Sequence, residues 1–163
     1  MEKRWNINSF LCKQADDNIT NIRNIFNKIE VKNNDTASFC IITLLNAFQS
    51  DEKNFRLYYF IEQMGEDKRA YVGNQSLTRD TEMKKDSNGE CVMARIDSSV
   101  SVMLKAEIQN VYFPKTGQYE LQVYKYDNEE SVDIDNETPD EQSKWANENH
   151  LVATYPFNVV ING

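Results

Sequence analysis

Glycine and proline are scarce here, five and three residues in 163. That excludes collagen-like and low-complexity classes. The sequence has no GxxxxGK[ST] and no GxGxxG, and its few scattered glycines cannot bring several backbone N–H groups onto a phosphate. Histidine occurs once, as His150. Any Ser–His–Asp or Cys–His arrangement has to pass through that ring, and no GxSxG elbow accompanies it. The chain is therefore expected to be non-enzymatic, with no catalytic residue. Cysteine occurs three times, at Cys12, Cys40 and Cys91, an odd count without a CxxC spacing. Reduced thiols fit that better than a disulfide scaffold, and Cys12 and Cys40 read as core filler in apolar strands. Three cysteines and one histidine at these intervals match no zinc pattern, so neither metal nor cofactor is assigned.

Long apolar runs are also missing. No segment approaches the ~20 residues that span a bilayer. The opening "MEKRWNINSFLCKQADDN" lacks a signal-peptide core, which leads to the expectation of a cytoplasmic protein without membrane contact. Basic clusters stop at "KRW" and "KK", too little for direct nucleic-acid binding.

What is present is alternation. In "NFRLYYFIEQM", Phe55, Leu57, Tyr59 and Ile61 share one face, against Arg56, Tyr58, Phe60 and Glu62. Val100, Val102, Leu104, Ala106 and Ile108 do the same in "SVSVMLKAEI". So do Tyr119, Leu121 and Val123 in "GQYELQVYKY", and Phe157, Val159 and Ile161 near the end. Period two marks half-buried strands with one face on a core. "TASFCIITLLNAF" (36–48) is continuously apolar at its centre and reads as a central strand, because Ile41, Ile42 and Thr43 are β-branched. "ITNIRNIFNKIEV" has some helical spacing, but its asparagines favour a strand interrupted by a bulge or turn. "MGEDKR" (64–69) and "PKTGQY" (114–119) read as hairpin loops, and "RDTEMKKDSNGE" (79–90) as a polar loop with an Asn-Gly turn. About eight strands and little helix predict one all-β domain over 1–163, a two-layer antiparallel β-sandwich of immunoglobulin-like or C2-like kind.

Charge is unevenly placed. The chain carries a net −8. Residues 127–148 hold nine carboxylates and one cation, Lys144, and the remainder balances seventeen cations with seventeen anions. This acidic insert (127–149) precedes the last strand and contains the one predicted helix. Thr138, Pro139 and Glu141 form a capping box with proline at the first helical position, predicting a helix from about 139 to about 148. Lys144 is placed to pair with Asp140 at i, i+4.

"FLCKQA", "NIFNKIEV", "YFPKTGQYELQVY" and "YPFNVVI" follow one another in an order that resembles an uncharacterised bacterial family of small β-sandwich proteins, a domain of unknown function. Its members open on Leu-Cys-x-x-Ala. They then show a Gly-Ile-Phe-Asp-like strand and a Phe-Pro-x-x-Gly-x-Tyr hairpin, and close on a Pro-hydrophobic strand. Asn24 stands where that family usually has glycine, and the acidic insert lies outside its pattern. The resemblance implies a sandwich fold and no activity.

The functional expectation is a protein-binding module acting through an acidic and aromatic surface: Tyr58, Phe60, Tyr126, Asp127, Asp133, Asp135, Asp140, Glu141 and Trp145. Its partner is expected to be a protein with a basic surface, since dense carboxylates accelerate encounter and select partners. One alternative is an inhibitor, encoded by a phage or mobile element, whose acidic patch blocks a basic nucleic-acid-binding site of a host defence protein. Another is a calcium-dependent C2-like domain using Asp127, Asp133 and Asp135 with Asp16 and Asp17. "DIDNE" opens like an EF-hand loop, but Thr138 replaces its turn glycine and Lys144 its last ligand. A third is carbohydrate binding on Tyr58, Phe60, Tyr124 and Tyr126, which needs that ring face exposed, with no helix or loop covering it.

Overall fold

A computed structural model describes residues 5–47, 54–78, 84–85, 91–92, 100–127 and 133–163. Two sheets stack face to face. One has four strands in the order β2 (Ile22–Phe26), β1 (Trp5–Ala15), β4 (Thr36–Ala47) and β9 (Val100–Tyr112). The other has five: β3 (Lys28–Lys32), β11 (Leu151–Asn162), β10 (Gly117–Asp127), β5 (Asn54–Gln63) and β6 (Lys68–Thr78). Two short strands, β7 (Lys84–Lys85) and β8 (Cys91–Val92), pair separately. The Asn-Gly pair predicted to turn in this region lies outside the described residues.

The predicted β-sandwich is the observed architecture. Alternation assigned the inner faces: Phe55, Leu57, Tyr59, Ile61, Leu121, Val123, Phe157 and Val159 meet Ile7, Leu11, Phe39, Ile41 and Leu45 in one buried core. A polar string crosses it. Ser9 Oγ lies 2.9 Å from Thr43 Oγ1, which lies 3.1 Å from the Tyr59 hydroxyl. Tyr59 in turn donates to Gln75 Oε1 at 3.4 Å. Burial pushes the Tyr59 hydroxyl up to about 12, so it stays protonated and able to donate.

Two sequence expectations need correction. The pairing is not wholly antiparallel, because β3 runs parallel to β11. The chain leaves the first sheet at Asn27, whose carbonyl accepts from Asn158 N at 2.8 Å, and enters the second sheet alongside the last strand. The segment 22–32 is thus two strands in different sheets, as an interrupted strand permits. Pro114–Tyr119 is not a hairpin loop, since β9 and β10 belong to different sheets. It is an arch. Tyr119 donates its hydroxyl to the Lys115 carbonyl at 2.7 Å, while Phe113 and Tyr119 pack edge to face 5.0 Å apart. Thr116 Oγ1 accepts from Ile161 N at 2.9 Å, tying the arch to β11. The Met64–Arg69 segment does form the predicted hairpin connection, with Gly65 at φ +87° where a side chain would be strained.

Candidate functional site

The site is built on the outer face of the five-stranded sheet. Register pairs Tyr124 with Tyr58 and Gln122 with Phe60 across β10 and β5. Residues two apart along a strand share a face, so Tyr58, Phe60, Tyr124 and Tyr126 form one aromatic field. Left open it would be a large apolar patch. It is not open: Tyr58, Phe60 and Tyr124 are essentially inaccessible and Tyr126 is 6% exposed. The expectation of an exposed ring platform is therefore corrected, and with it the carbohydrate reading.

The cover is the acidic insert. A 3-10 turn over Ile134–Asn136 drops Ile134 onto the rings, where it is 1% exposed. Thr138 then caps helix α1 (Pro139–Ser143), accepting from Glu141 N at 3.3 Å and donating its hydroxyl to Glu141 Oε1 at 3.0 Å. The capping box is as predicted, but the helix is half the predicted length. Lys144, Trp145 and Ala146 turn away on i→i−3 bonds to Glu141, Gln142 and Ser143. That tighter path lets Trp145 and Ala146 reach the sheet. A second 3-10 turn, Glu148–His150, is capped by Asn147 and leads into β11. Among the described residues no ion pair joins Lys144 to Asp140; Lys144 sits at the helix C-cap.

The cover is held by ring contacts and by polar bonds at its margin. Trp145 lies 4.9 Å from Tyr126 and 5.5 Å from Tyr58 between ring centroids, in tilted and edge-on geometries that aromatic quadrupoles favour. Tyr126 donates to the Trp145 carbonyl at 2.8 Å. The Trp145 indole N–H is shared by both Glu137 carboxylate oxygens, at 3.1 and 3.2 Å. Gln142 Nε2 donates to the Ile134 carbonyl at 2.9 Å, closing the insert on itself. Tyr71 of β6 donates to Asp135 Oδ1 at 2.6 Å, and Asn74 also reaches that carboxylate. Burial first, and then the Asp135 charge, lift the Tyr71 hydroxyl well above the ordinary tyrosine range.

His150 belongs to the same cover. Its ring stacks on Tyr126 at 3.9 Å and 12°, and its Nδ1 lies 2.9 Å from the Lys125 carbonyl. A carbonyl only accepts, so Nδ1 carries the proton. The ring thus holds the end of the insert in place.

The residues expected to meet a partner divide into two groups. Tyr58, Phe60 and Tyr126 are beneath the cover, Trp145 is half-buried within it, and Asp135 is a latch to β6. Asp133, Asp140 and Glu141 are exposed, although Asp133 accepts from Asn136 Nδ2. Asp127 ends β10 opposite Phe55, and its side chain lies outside the described residues. The sequence reading missed Tyr71, Asn74, Glu137, Gln142 and Ile134 as anchors. Ile134 carried a signal, as the one aliphatic residue between Asp133 and Lys144.

Of the residues offered for a calcium site, Asp16, Asp17 and Asp135 are engaged separately. Asp16 accepts from Thr20 and Asn21, Asp17 pairs with Lys105, and Asp135 faces Tyr71 and Asn74. Among the described residues no three potential ligands converge.

No protein-family model and no curated protein matches the chain. Similar solved structures include the CARDB domain of a Pyrococcus furiosus protein in complex with di-metal ions. The likeness covers 99% of this chain and 96% of that one, at 12% identity and a TM-score of 0.47. A β-glucosidase from Listeria innocua in complex with glucose is matched over 99% of this chain but 16% of its own, at 6% identity and a TM-score of 0.45. An immunoglobulin-like protein from Pseudomonas aeruginosa is matched over 98% and 94%, at 12% identity and a TM-score of 0.33.

Proposed function

We propose that this chain is a non-catalytic binding module whose acidic cover docks on a basic protein surface. One observation carries the reading. Six carboxylates lie between Asp133 and Glu148, and among the described residues none of them joins an ion pair. They are mounted on a segment fixed to the sheet by Ile134, Trp145 and Ala146. A charged surface held in place has less ordering to lose on association than a free loop. Its field accelerates encounter with a cationic partner and disfavours acidic ones. The buried rings serve the contact indirectly, as the floor that positions Asp133, Asp140 and Glu141.

The test compares the parent chain with a triple variant, Asp133→Asn, Asp140→Asn and Glu141→Gln, in capture from a cell extract over a range of salt. The parent is expected to enrich basic proteins in a salt-sensitive manner, and the variant to lose them. Equal capture with an unchanged salt response would remove the acidic cover from the interface. A hydrolase activity abolished by His150→Ala would overturn the non-catalytic reading.

A further inference from the structure

The opposite face of the molecule holds two thiols that the binding reading does not use. Cys12 of β1 and Cys40 of β4 are direct partners across an antiparallel ladder. Both side chains lie outside the main core, in a small cluster with Ile42, and Cys12 is fully buried while Cys40 is 7% exposed. Facing residues of an antiparallel pair have Cα atoms ~4.5–5.5 Å apart. That lies inside the ~4.4–6.8 Å that a disulfide bridges.

The two sulfurs are not equally reachable. Cys12 is sealed by the β1–β2 loop, whose Ile19 packs on the cluster at φ +54°, a left-handed conformation uncommon for a β-branched residue. Asp16 ties this loop together by accepting from Thr20 and Asn21, and Lys105 tethers it through Asp17 and the Ala15 carbonyl. Burial and the neighbouring Cys40 push the Cys12 thiol up to about 11. Cys40, by contrast, forms part of the wall of an open groove of about 540 Å³, beside Lys13, Gln14, Arg23 and Glu107. Lys13 and Arg23 there favour an anionic reagent.

We propose that Cys12 and Cys40 are a reversible redox pair, closed to a cross-strand disulfide by exchange with a small anionic disulfide that enters the groove at Cys40. The Cys40 thiolate attacks one sulfur of the reagent, forming a mixed disulfide and expelling one thiolate. Cys12 then gives up its proton and attacks the Cys40 sulfur, expelling the second thiolate. Two protein thiols are oxidised, the reagent disulfide is reduced to two thiols, and the two protons end on those products. The pair is independent of the acidic cover.

The experiment uses the full chain carrying Cys91→Ser, incubated folded with oxidised glutathione, then acid-quenched, denatured, alkylated and weighed intact. The expected product is a monomer that has lost two hydrogens, resists alkylation, and recovers both thiols with dithiothreitol. Adding Cys12→Ser is expected to stop the reaction at a stable glutathione adduct on Cys40. Adding Asp16→Ala instead, which loosens the loop, is expected to speed closure severalfold. Retention of both thiols in the Cys91→Ser chain and its Asp16→Ala derivative alike would overturn the proposal. So would a terminal glutathione adduct with Cys12 present, or a disulfide linking two chains.

Discussion

Asp16 organises the β1–β2 loop with one carboxylate. Its two oxygens accept from the Thr20 hydroxyl, the Asn21 and Thr20 amides and the Asn21 side chain, which together hold its pKa at about 2. An unfolded aspartate titrates near ~3.9. The folded value is the lower one, so the stabilisation is complete above the unfolded pKa and is lost as pH falls through about 2. A carboxyl-detected NMR titration should place the Asp16 midpoint near that value, with the Thr20 and Asn21 amides losing exchange protection in the same range. A midpoint near the unfolded value would mean these bonds do not persist in solution. A second residue-scale prediction concerns Thr43, fully buried between Ser9 and Tyr59. Thr43→Val keeps the shape and leaves the buried Ser9 hydroxyl without this partner, while Tyr59 keeps Gln75, so it should cost about 1–3 kcal/mol in urea unfolding. A loss indistinguishable from zero would show that the string contributes nothing net. At this scale the sequence is legible where conformation is local. Asn24 adopts φ +56°, a region asparagine enters more readily than most residues.

The elements show what alternation can and cannot reveal. It separated Phe55, Leu57, Tyr59 and Ile61 from Tyr58 and Phe60, and both sets are buried. Period two reports that a strand has two faces; it does not report what covers each of them. The cover comes from a segment some seventy residues away in sequence, rich in carboxylates, anchored by Ile134, Trp145 and Ala146. Helix length failed for a related reason. Local signals specified the capping box, whereas the turn at Lys144 follows from Trp145 and Ala146 docking on the sheet, which is tertiary. The Pro114–Tyr119 arch has the composition of a hairpin loop, and only the partners of β9 and β10 distinguish the two. If the insert is a docked cover, Ile134→Asp should release it while the sandwich stays folded. In a Trp5→Phe background the Trp145 emission should shift to the red, and an apolar dye should bind the uncovered rings. Far-ultraviolet circular dichroism should keep its strand signature. Unchanged emission without dye binding would show that Ile134 does not hold the insert down.

At the scale of the molecule, the sandwich was legible because half-buried strands announce themselves residue by residue, whereas the crossing from β2 to β3 and the parallel pairing with β11 depend on distant partners. Charge distribution was equally legible, and its consequence is energetic. Elsewhere the chain answers carboxylates with cations: Glu62 with Arg69, Glu66 with Lys115, Asp17 and Glu107 with Lys105. The carboxylates of the cover join no ion pair among the described residues, so the cover is held down against its own repulsion. Ions screen such repulsion over a Debye length of ~10 Å at 0.1 M. Raising sodium chloride from near zero to the physiological range should therefore increase the melting temperature. A fold relying on exposed ion pairs would show the opposite sign, because the same screening weakens attraction. Neutralising Asp133, Asp140 and Glu141 together should raise the melting temperature at low salt and flatten its salt response, since the cover is anchored by Ile134, Trp145 and their ring contacts rather than by these charges. A melting temperature that instead drops in this variant, or keeps its full salt dependence, would mean that the carboxylates help hold the cover in place and are not free for a partner.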